Sequence, residues 1–200
     1  MHRLSCVLAA AVAGSAFGQV IVLNPGIEDN PGTSEFGDIA EWGPNGGWAF
    51  HTNFQKPGHE LLGERFGFYS SGNGELVGQL LSATYAEGVE YTFSAFLWGG
   101  GNDQGVARLS IGYLDNEADP LSFVALSSAD HDTANFTAWT QSSVSVVADA
   151  SAAGRRIFIA FDRIDQPNDD IWFDQISVVP TPGAAALLAA GGLLAGRRRR

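Results

Sequence analysis

The 200-residue chain is almost free of cysteine, poor in lysine, and its central part lacks any long segment of helical period. Its only cysteine, Cys6, lies in an apolar stretch at the start. A single cysteine cannot form an internal disulfide, so stability must come from core packing, helped at most by a metal ion. The sequence also lacks the Gly-x-Ser-x-Gly elbow of serine hydrolases, and no cysteine remains in the body for nucleophilic chemistry.

The first eighteen residues predict an export signal. A basic start at His2 and Arg3 precedes an apolar run from Leu4 to Ala16, and Ala16-Phe17-Gly18 is a small-x-small pattern before Gln19. A basic start, an apolar run of about 7–15 residues and a small-residue cleavage site together characterise secretory signals. The alternative, a buried first helix, is disfavoured by the strand and turn residues that follow.

The last twenty-one residues resemble a second signal in their composition. Val179-Pro180-Thr181-Pro182 is expected to interrupt regular structure, because proline cannot donate to a β-ladder. Gly183 to Gly196 contains only glycine, alanine and leucine, and the chain ends in Arg197, Arg198, Arg199 and Arg200. We expect a short hydrophobic helix here. It is shorter than the about 20 residues of a spanning helix, so we expect transient membrane contact with the arginines cytoplasmic. A core helix with a charged tail is the alternative, but the stretch has no polar face.

This order of proline motif, short apolar helix and arginine cluster resembles the PEP-CTERM sorting signal of exported bacterial proteins. Val-Pro-Thr-Pro stands where the family name implies Pro-Glu-Pro, so the acidic residue is missing. The resemblance implies that an exosortase-type membrane peptidase recognises the segment and removes it. It also implies delivery of the body to the cell surface or an extracellular polysaccharide matrix. The expected division is a signal at 1–18, a domain at 19–179 and a sorting signal at 180–200.

The body of the protein is strongly acidic once the two ends are set aside. Without Arg3 and the four terminal arginines, 22 acidic and 6 basic side chains remain, a net charge of −16. Such a surface repels phosphate backbones, which excludes nucleic acid as a natural partner. It also supplies carboxylates that could bind calcium. About 160 residues is enough for one domain with a substantial core.

Short segments rich in β-branched and aromatic residues predict an all-β sandwich. From Val89 to Trp98, apolar residues alternate with Glu90, Thr92 and Ser94, the period of a half-buried strand. Glycine-rich and asparagine-rich connectors separate such segments, as in sandwiches and jelly rolls. The other predicted strands are Val20–Leu23, Leu76–Ala83, Val106–Leu114, Leu121–Leu126, Trp139–Val147, Arg156–Phe161 and Ile171–Val179.

The ends of the body resemble the galactose-binding-like jelly roll, the fold of many carbohydrate-binding modules. Asn24 to Glu28 reads Asn-x-Gly-x-Glu, and Phe173 to Val178 reads aromatic-Asp-x-apolar-x-Val. In that fold the first and last strands are neighbours, and many members hold a structural calcium there. The resemblance therefore implies Glu28 and Asp174 as calcium ligands, since calcium takes six to eight oxygens from carboxylates and carbonyls. The alternative is that both carboxylates accept backbone amides.

Sugar binding needs aromatic faces with polar neighbours. Asn45 and Asn102 are possible polar partners in loops, and each loop tryptophan could equally close the end of the sandwich. Trp139 and Trp172 lie in strand patterns and are expected in the core. The candidate carbohydrate-binding residues are Trp42, Trp48, Trp98, Tyr113 and Gln79.

Two acidic clusters, Asp169-Asp170 and Asp130-His131-Asp132, invite catalytic or metal-binding interpretations. Spacing alone does not distinguish catalytic carboxylates from solvated loop acids. We therefore expect a protein that is not an enzyme and that binds carbohydrate or exopolysaccharide at the cell surface. A self-associating structural surface protein is the alternative, and a hydrolase with an unrecognised site is less favoured.

Overall fold

The computed structural model describes residues 20–29, 39–43, 48–52, 61, 63, 65–69, 76–99, 105–164 and 171–182, with the backbone alone at 48–52 and 69. These residues include two short 3₁₀ turns, Pro120–Ser122 and Thr133–Asn135, and no helix in this part of the chain is long and apolar enough to cross a membrane. The strands are β1 (Trp48–Thr52), β2 (Arg65–Tyr69), β3 (Val77–Thr84), β4 (Val89–Trp98), β5 (Val106–Leu114), β6 (Phe123–Asp132), β7 (Thr140–Val147), β8 (Arg156–Arg163) and β9 (Ile171–Pro182).

The strands form two antiparallel sheets that pack as a sandwich. One sheet has five strands in the order β1-β2-β9-β4-β7, and the other has four in the order β3-β8-β5-β6. Every ladder is antiparallel. The predicted all-β sandwich is confirmed, and the two-sheet arrangement is that of a jelly roll.

Alternation along the strands directs one set of side chains into a common core. Phe93 and Leu97 of β4 and Phe173 of β9 point from the five-stranded sheet into the core, where they meet Phe161 of β8 in the other sheet. All four are almost fully buried. The Phe161 and Phe173 rings stack with centroids 4.6 Å apart, and Phe93 meets Phe161 edge-on at 5.2 Å. Such ring pairs add about 0.5–1.5 kcal/mol beyond the area they bury.

The predicted strand boundaries hold best where alternation is clean. β4 and β5 begin and end at the predicted residues, whereas β1 and β2 were not predicted at all. Residues 20–23 were predicted as a strand but belong to neither sheet. The amide of Leu23 donates to the Gln79 side chain instead, and Asn24 has a φ of 45°. The segment nevertheless packs on the core through Val20 and Val22.

The expectation that Pro180 and Pro182 interrupt regular structure is wrong. β9 continues to Pro182, with Pro180 opposite Tyr91 and Pro182 opposite Val89 of β4. In an antiparallel strand, successive residues direct their N–H groups to opposite sides, so every second residue has the same orientation. The amide of Ile176 donates to the carbonyl of Pro25, away from β4, and both prolines share its orientation. The ladder to β4 therefore needs no proline N–H.

The predicted boundary between residues 179 and 180 thus falls inside β9. The predicted signal helix at 1–18 and the hydrophobic helix and arginine cluster at 183–200 lie outside the described residues.

Candidate functional site

A cluster of five aromatic residues lies on the outer face of the five-stranded sheet. The ladder places Phe68 of β2 and Trp98 of β4 on either side of Trp172 of β9, so their side chains share one face. Neighbouring Phe173 points into the core, as strand alternation requires. We call this cluster the aromatic platform; it comprises Phe66, Phe68, Trp98, Trp139 and Trp172.

The rings of the aromatic platform pack mostly at steep angles. Trp98 meets Trp172 at 5.4 Å and 84°, and it meets Trp139 at 5.9 Å and 61°. Phe66 packs on Trp172 at 4.9 Å. Phe66, Phe68 and Trp172 are at most 2% exposed, whereas Trp98 and Trp139 are half-buried. The two half-buried indoles are therefore the part of the platform that a ligand can reach.

Hydroxyl side chains continue this outer face further along the same strands. Ser94 pairs with Ser177 at 2.9 Å between oxygens, and Thr92 pairs with Ser145 at 2.8 Å. Ser143 lies beside Ser94 on β7 and is exposed. A hydroxyl carries one donor and two acceptor sites, so each pair that shares one hydrogen bond retains capacity for more. We call Thr92, Ser94, Ser143, Ser145 and Ser177 the hydroxyl strip.

Two of the predicted sugar-binding residues instead maintain the fold. Trp42 is 4% exposed, its ring lies 5.8 Å from Phe161, and its indole N–H donates to the Asn24 carbonyl at 3.4 Å. As a correction, Trp42 is a core residue that closes the sandwich, as the alternative interpretation held. A ring buried on both faces offers no surface to a sugar.

Gln79 fastens the N-terminal segment to β3 and is also 4% exposed. Its Oε1 accepts from the amide of Leu23 at 2.8 Å. Its Nε2 donates to the carbonyls of Leu23 and Glu41 at 3.0 and 3.1 Å. Because these bonds occupy the amide group, Gln79 is corrected from a ligand-binding residue to a structural one.

The other three aromatic residues predicted to bind sugar lie in three different parts of the structure. Trp98 lies in the aromatic platform. Tyr113 is half-buried on β5, and the Arg155 guanidinium lies 4.4 Å from its ring centroid and covers one face. The backbone of Trp48 pairs with Tyr69 at the edge of the five-stranded sheet. Asn45 and Asn102 lie outside the described residues.

Glu28 and Asp174, the predicted calcium ligands, lie on either side of Gly26. A Cβ added to Gly26 would lie 3.7 Å from Asp174 Oδ1 and 3.8 Å from Glu28 Cγ. Asp174 is fully buried, and its Oδ1 accepts from the amide of Gln175 at 2.6 Å. Glu28 Oε1 accepts from the amide of Arg65 at 2.9 Å. Both carboxylates therefore accept backbone amides, as the alternative held. The Glu28 carboxylate itself lies beside Gly63, and only its Cγ approaches Gly26.

The cluster Asp130-His131-Asp132 does not form one site, because alternation turns His131 to the other face of β6 and the two aspartates have different partners. Asp132 Oδ1 accepts from the amide of Ala134 at 3.0 Å. Asp130 forms a bidentate pair with Arg108 at 2.7 and 3.0 Å, and this hydrogen bonding lowers the pKa of Asp130. Burial lowers the pKa of His131, and burial raises the pKa of Asp162 on β8. Among the described residues, no group of three or more His, Cys, Asp or Glu converges on a metal position. Asp169-Asp170 lies outside them.

Phe66 and Phe68 were not predicted as part of any site, and Trp139 and Trp172 were predicted as core residues. Trp172 is indeed buried, at 1% exposure, although it lies on the outer face of its sheet. The two tryptophans stand in strand patterns, and strand alternation places Trp172 and its neighbour Phe173 on opposite faces, so they belong to different clusters. Phe66 and Phe68 belong to β2, which was not predicted. Alternation indicates only that Trp98 and Trp172 face away from Leu97 and Phe173; their pairing follows from the register between β4 and β9.

Comparison with known proteins gives the fold. The chain matches no protein-family model and no curated protein sequence. Among solved structures it is similar to the Stig cyclase Fisc from Fischerella sp. TAU in complex with (3Z)-3-(1-methyl-2-pyrrolidinylidene)-3H-indole. That match has a TM-score of 0.63 and 14% identity, and covers 82% of this chain and 98% of the cyclase.

Two carbohydrate-binding proteins are similar as well. One is TmCBM61 in complex with β-1,4-galactotriose, with a TM-score of 0.55 and 15% identity over 82% of this chain and 99% of that module. The other is the CBM22-1 xylan-binding domain from Paenibacillus barcinonensis Xyn10C, with a TM-score of 0.53 and 11% identity over 75% and 92%. At these identities the likeness shows the fold, which confirms the predicted jelly roll of carbohydrate-binding modules.

The cyclase match contradicts the expectation that the chain is not an enzyme. That expectation took the sandwich fold and the absence of familiar nucleophile motifs as grounds against catalysis. Since enzymes and binding modules share this fold, the fold gives no ground for excluding an activity.

The structural role of Gln79 leads to a prediction about stability. Gln79→Ala leaves the amide and carbonyl of Leu23 without their side-chain partner, and each unsatisfied buried group costs about 1–3 kcal/mol. We expect the free energy of unfolding, measured by urea titration, to fall by at least about 1 kcal/mol. Gln141→Ala, at an exposed position of β7, is the control and should change it little. An unchanged midpoint for Gln79→Ala would show that its hydrogen bonds do not stabilise the fold.

Proposed function

We propose that this chain binds an extended, uncharged polysaccharide on the outer face of its five-stranded sheet. The observation that carries the proposal is the position of Trp98 and Trp139, two half-buried indoles at one end of the hydroxyl strip. Sugar rings have apolar faces that stack on indoles, and their hydroxyls exchange hydrogen bonds with serine and threonine.

The length of the surface favours a polymer over a single sugar. Strand residues advance by about 3.4 Å, so Thr92 lies roughly 20 Å along β4 from Trp98. A ligand that contacts both the aromatic platform and the far end of the hydroxyl strip must therefore span several sugar units. Phe96, half-buried, and Gln141, exposed, lie between the two and continue the contact surface.

The charge of the protein favours a neutral ligand. The body carries a net charge of −16, and the five residues of the hydroxyl strip are all uncharged. An acidic polysaccharide would be repelled, and no cation within the platform or strip would compensate. The galactotriose complex and the xylan-binding domain are proteins of the same fold that bind neutral glycans, which supports this choice.

We propose further that Glu28 and Asp174 hold a structural calcium ion. The donor types fit, because the Asp174 carboxylate and the Glu28 side chain both approach Gly26, and Asp174 is fully buried. Calcium bound there would link the N-terminal segment to β9, and backbone carbonyls would supply the remaining oxygens.

The proposed location of the protein follows from its two ends. Residues 1–18 direct export, and an exosortase-type peptidase recognises Pro180, Pro182 and the four terminal arginines while the apolar stretch contacts the membrane. Removal of that segment releases the body to the cell surface or extracellular matrix. A polysaccharide ligand is consistent with this destination.

The platform can be tested by substituting its two accessible indoles. Trp98→Ala and Trp139→Ala should each weaken retention on neutral polysaccharides by about tenfold, which corresponds to about 1.4 kcal/mol of lost stacking. Affinity electrophoresis through gels containing galactan or xylan measures the change. Trp42→Phe is the control and should lower the melting temperature without affecting retention. The proposal is wrong if no neutral polysaccharide retards the protein, or if neither Trp98→Ala nor Trp139→Ala changes its retention.

Calcium binding can be tested by calorimetry after chelation. Calcium at about 100 times its Kd should stabilise the protein by about 2.7 kcal/mol and raise its melting temperature by about 5–10 °C. Glu28→Gln and Asp174→Asn should remove this increase. Glu87→Gln, at an exposed turn, should retain it. An unchanged melting temperature in millimolar calcium would contradict the site.

Processing of the C-terminal segment can be tested by mass spectrometry of the protein recovered from its producing cells. The mature chain should end near Pro180 rather than at Arg200. Replacing the four arginines with serine should leave the segment attached. A mature protein that still ends at Arg200 would show that the segment is not removed.

A further inference from the structure

A cleft lies on the outer face of the four-stranded sheet, on the side of the molecule opposite the aromatic platform. Its floor consists of Phe158 of β8 between Leu80 of β3 and Leu114 of β5, and the ladders place Phe158 directly opposite Leu80. Leu23 and Pro120 line its sides, and its volume is about 400 Å³. This is within the range of about 300–1,000 Å³ typical of small-molecule sites.

Two glycines allow this cleft to exist. Gly43 and Gly78 form an isolated antiparallel bridge, with hydrogen bonds of 2.9 and 3.2 Å between their backbones. Phe158 lies so close to Gly78 that an added Cβ would collide with the ring. A Cβ at Gly43 would meet no atom within 4 Å, so Gly43 faces open space in the cleft wall.

The charged side chains that line the cleft are both acidic. Glu41 is exposed beside Gly43, and Glu117 approaches from the connection after β5. Arg156 forms an ion pair with Glu117 at 3.2 Å, but its guanidinium also donates to the carbonyls of Leu80 and Leu81. Arg156 thus offsets one carboxylate only, and the overall acidity of the chain adds to the negative potential.

We propose that the cleft binds a small organic cation, an apolar body that carries an amine. The apolar body would lie on Phe158, Leu80 and Leu114, and the ammonium group would lie at the rim near Glu41. A cation near the face of an aromatic ring gains further attraction. An anion would be repelled by both carboxylates. This site is separate from the polysaccharide surface, since the two lie on opposite sheets.

The proposal can be tested with three probes of one shape and different charge. In ¹H–¹⁵N correlation spectra of the full-length protein, 2-phenylethylamine should shift the amide signals of Gly43 and Gly78. The neutral 2-phenylethanol should bind up to about fivefold more weakly, the effect of one partly screened ion pair. Phenylacetate should bind most weakly. Equal binding of all three probes, or no binding, would overturn the proposal.

Substitutions at two positions, Gly43 and Glu41, locate the site without disturbing the core. Gly43→Leu places a side chain in the open space and should abolish amine binding, whereas Gly43→Ala should weaken it less. Glu41→Gln should remove most of the preference of the amine over the alcohol. Trp98→Ala should leave amine binding unchanged, so failure here is distinguishable from failure of the polysaccharide proposal.

Melting temperature and retention on polysaccharide should stay unchanged in these cleft variants, which shows that they fold. Amine-induced shifts that persist in Gly43→Leu would place the ligand elsewhere and overturn the proposal. Concentration-dependent dimerisation that Gly43→Leu disrupts would also overturn it, because a second copy of the chain would then be the occupant of the cleft.

Discussion

The position of β9 between β2 and β4 determines most of the arrangement described above. Three consecutive residues of this strand have different environments. Trp172 faces outward between Phe68 and Trp98, Phe173 stacks on Phe161 in the core, and Asp174 is fully buried beside Gly26. A shift of the ladder by one residue would exchange the two faces. The aromatic platform, the core and the carboxylate pair therefore depend on a single register.

That register changes once within the strand. Gln175 has a φ of 50°, and the pairing with β4 slips between Ser94 and Phe96. The irregularity allows Ile176 to return to the core while its amide reaches Pro25. One bulge thus connects the N-terminal segment to the sheet and aligns Ser177 with Ser94 in the hydroxyl strip. Bulges commonly have this effect of redirecting side chains near functional sites.

Much of the fold could be predicted from the sequence, but less of the candidate site. Alternation over Val89–Trp98 and Val106–Leu114 gave two strands with their correct ends, because both faces of each strand have distinct chemistry. β1 and β2 have only five residues each, too few for alternation to stand out, so Phe66 and Phe68 could not be assigned to a sheet. Trp42 and Gln79 were misassigned, because their burial depends on contacts with Phe161 and Leu23 that are distant in sequence. Trp98 ends β4 as predicted, but its neighbours could be identified only from the pairing of β4 with β9.

The two prolines near the end of β9 have a consequence for association between copies of the protein. Beyond Phe173, no described strand pairs with the side of β9 that faces away from β4. Along this edge the Ile176 amide is already engaged, and Pro180 and Pro182 have no N–H to offer, so Val178 holds the remaining donor. An edge so poor in donors is a weak template for an incoming strand, which is how many sheets avoid edge-to-edge aggregation. Strand-by-strand association of two copies along this part of β9 is therefore disfavoured.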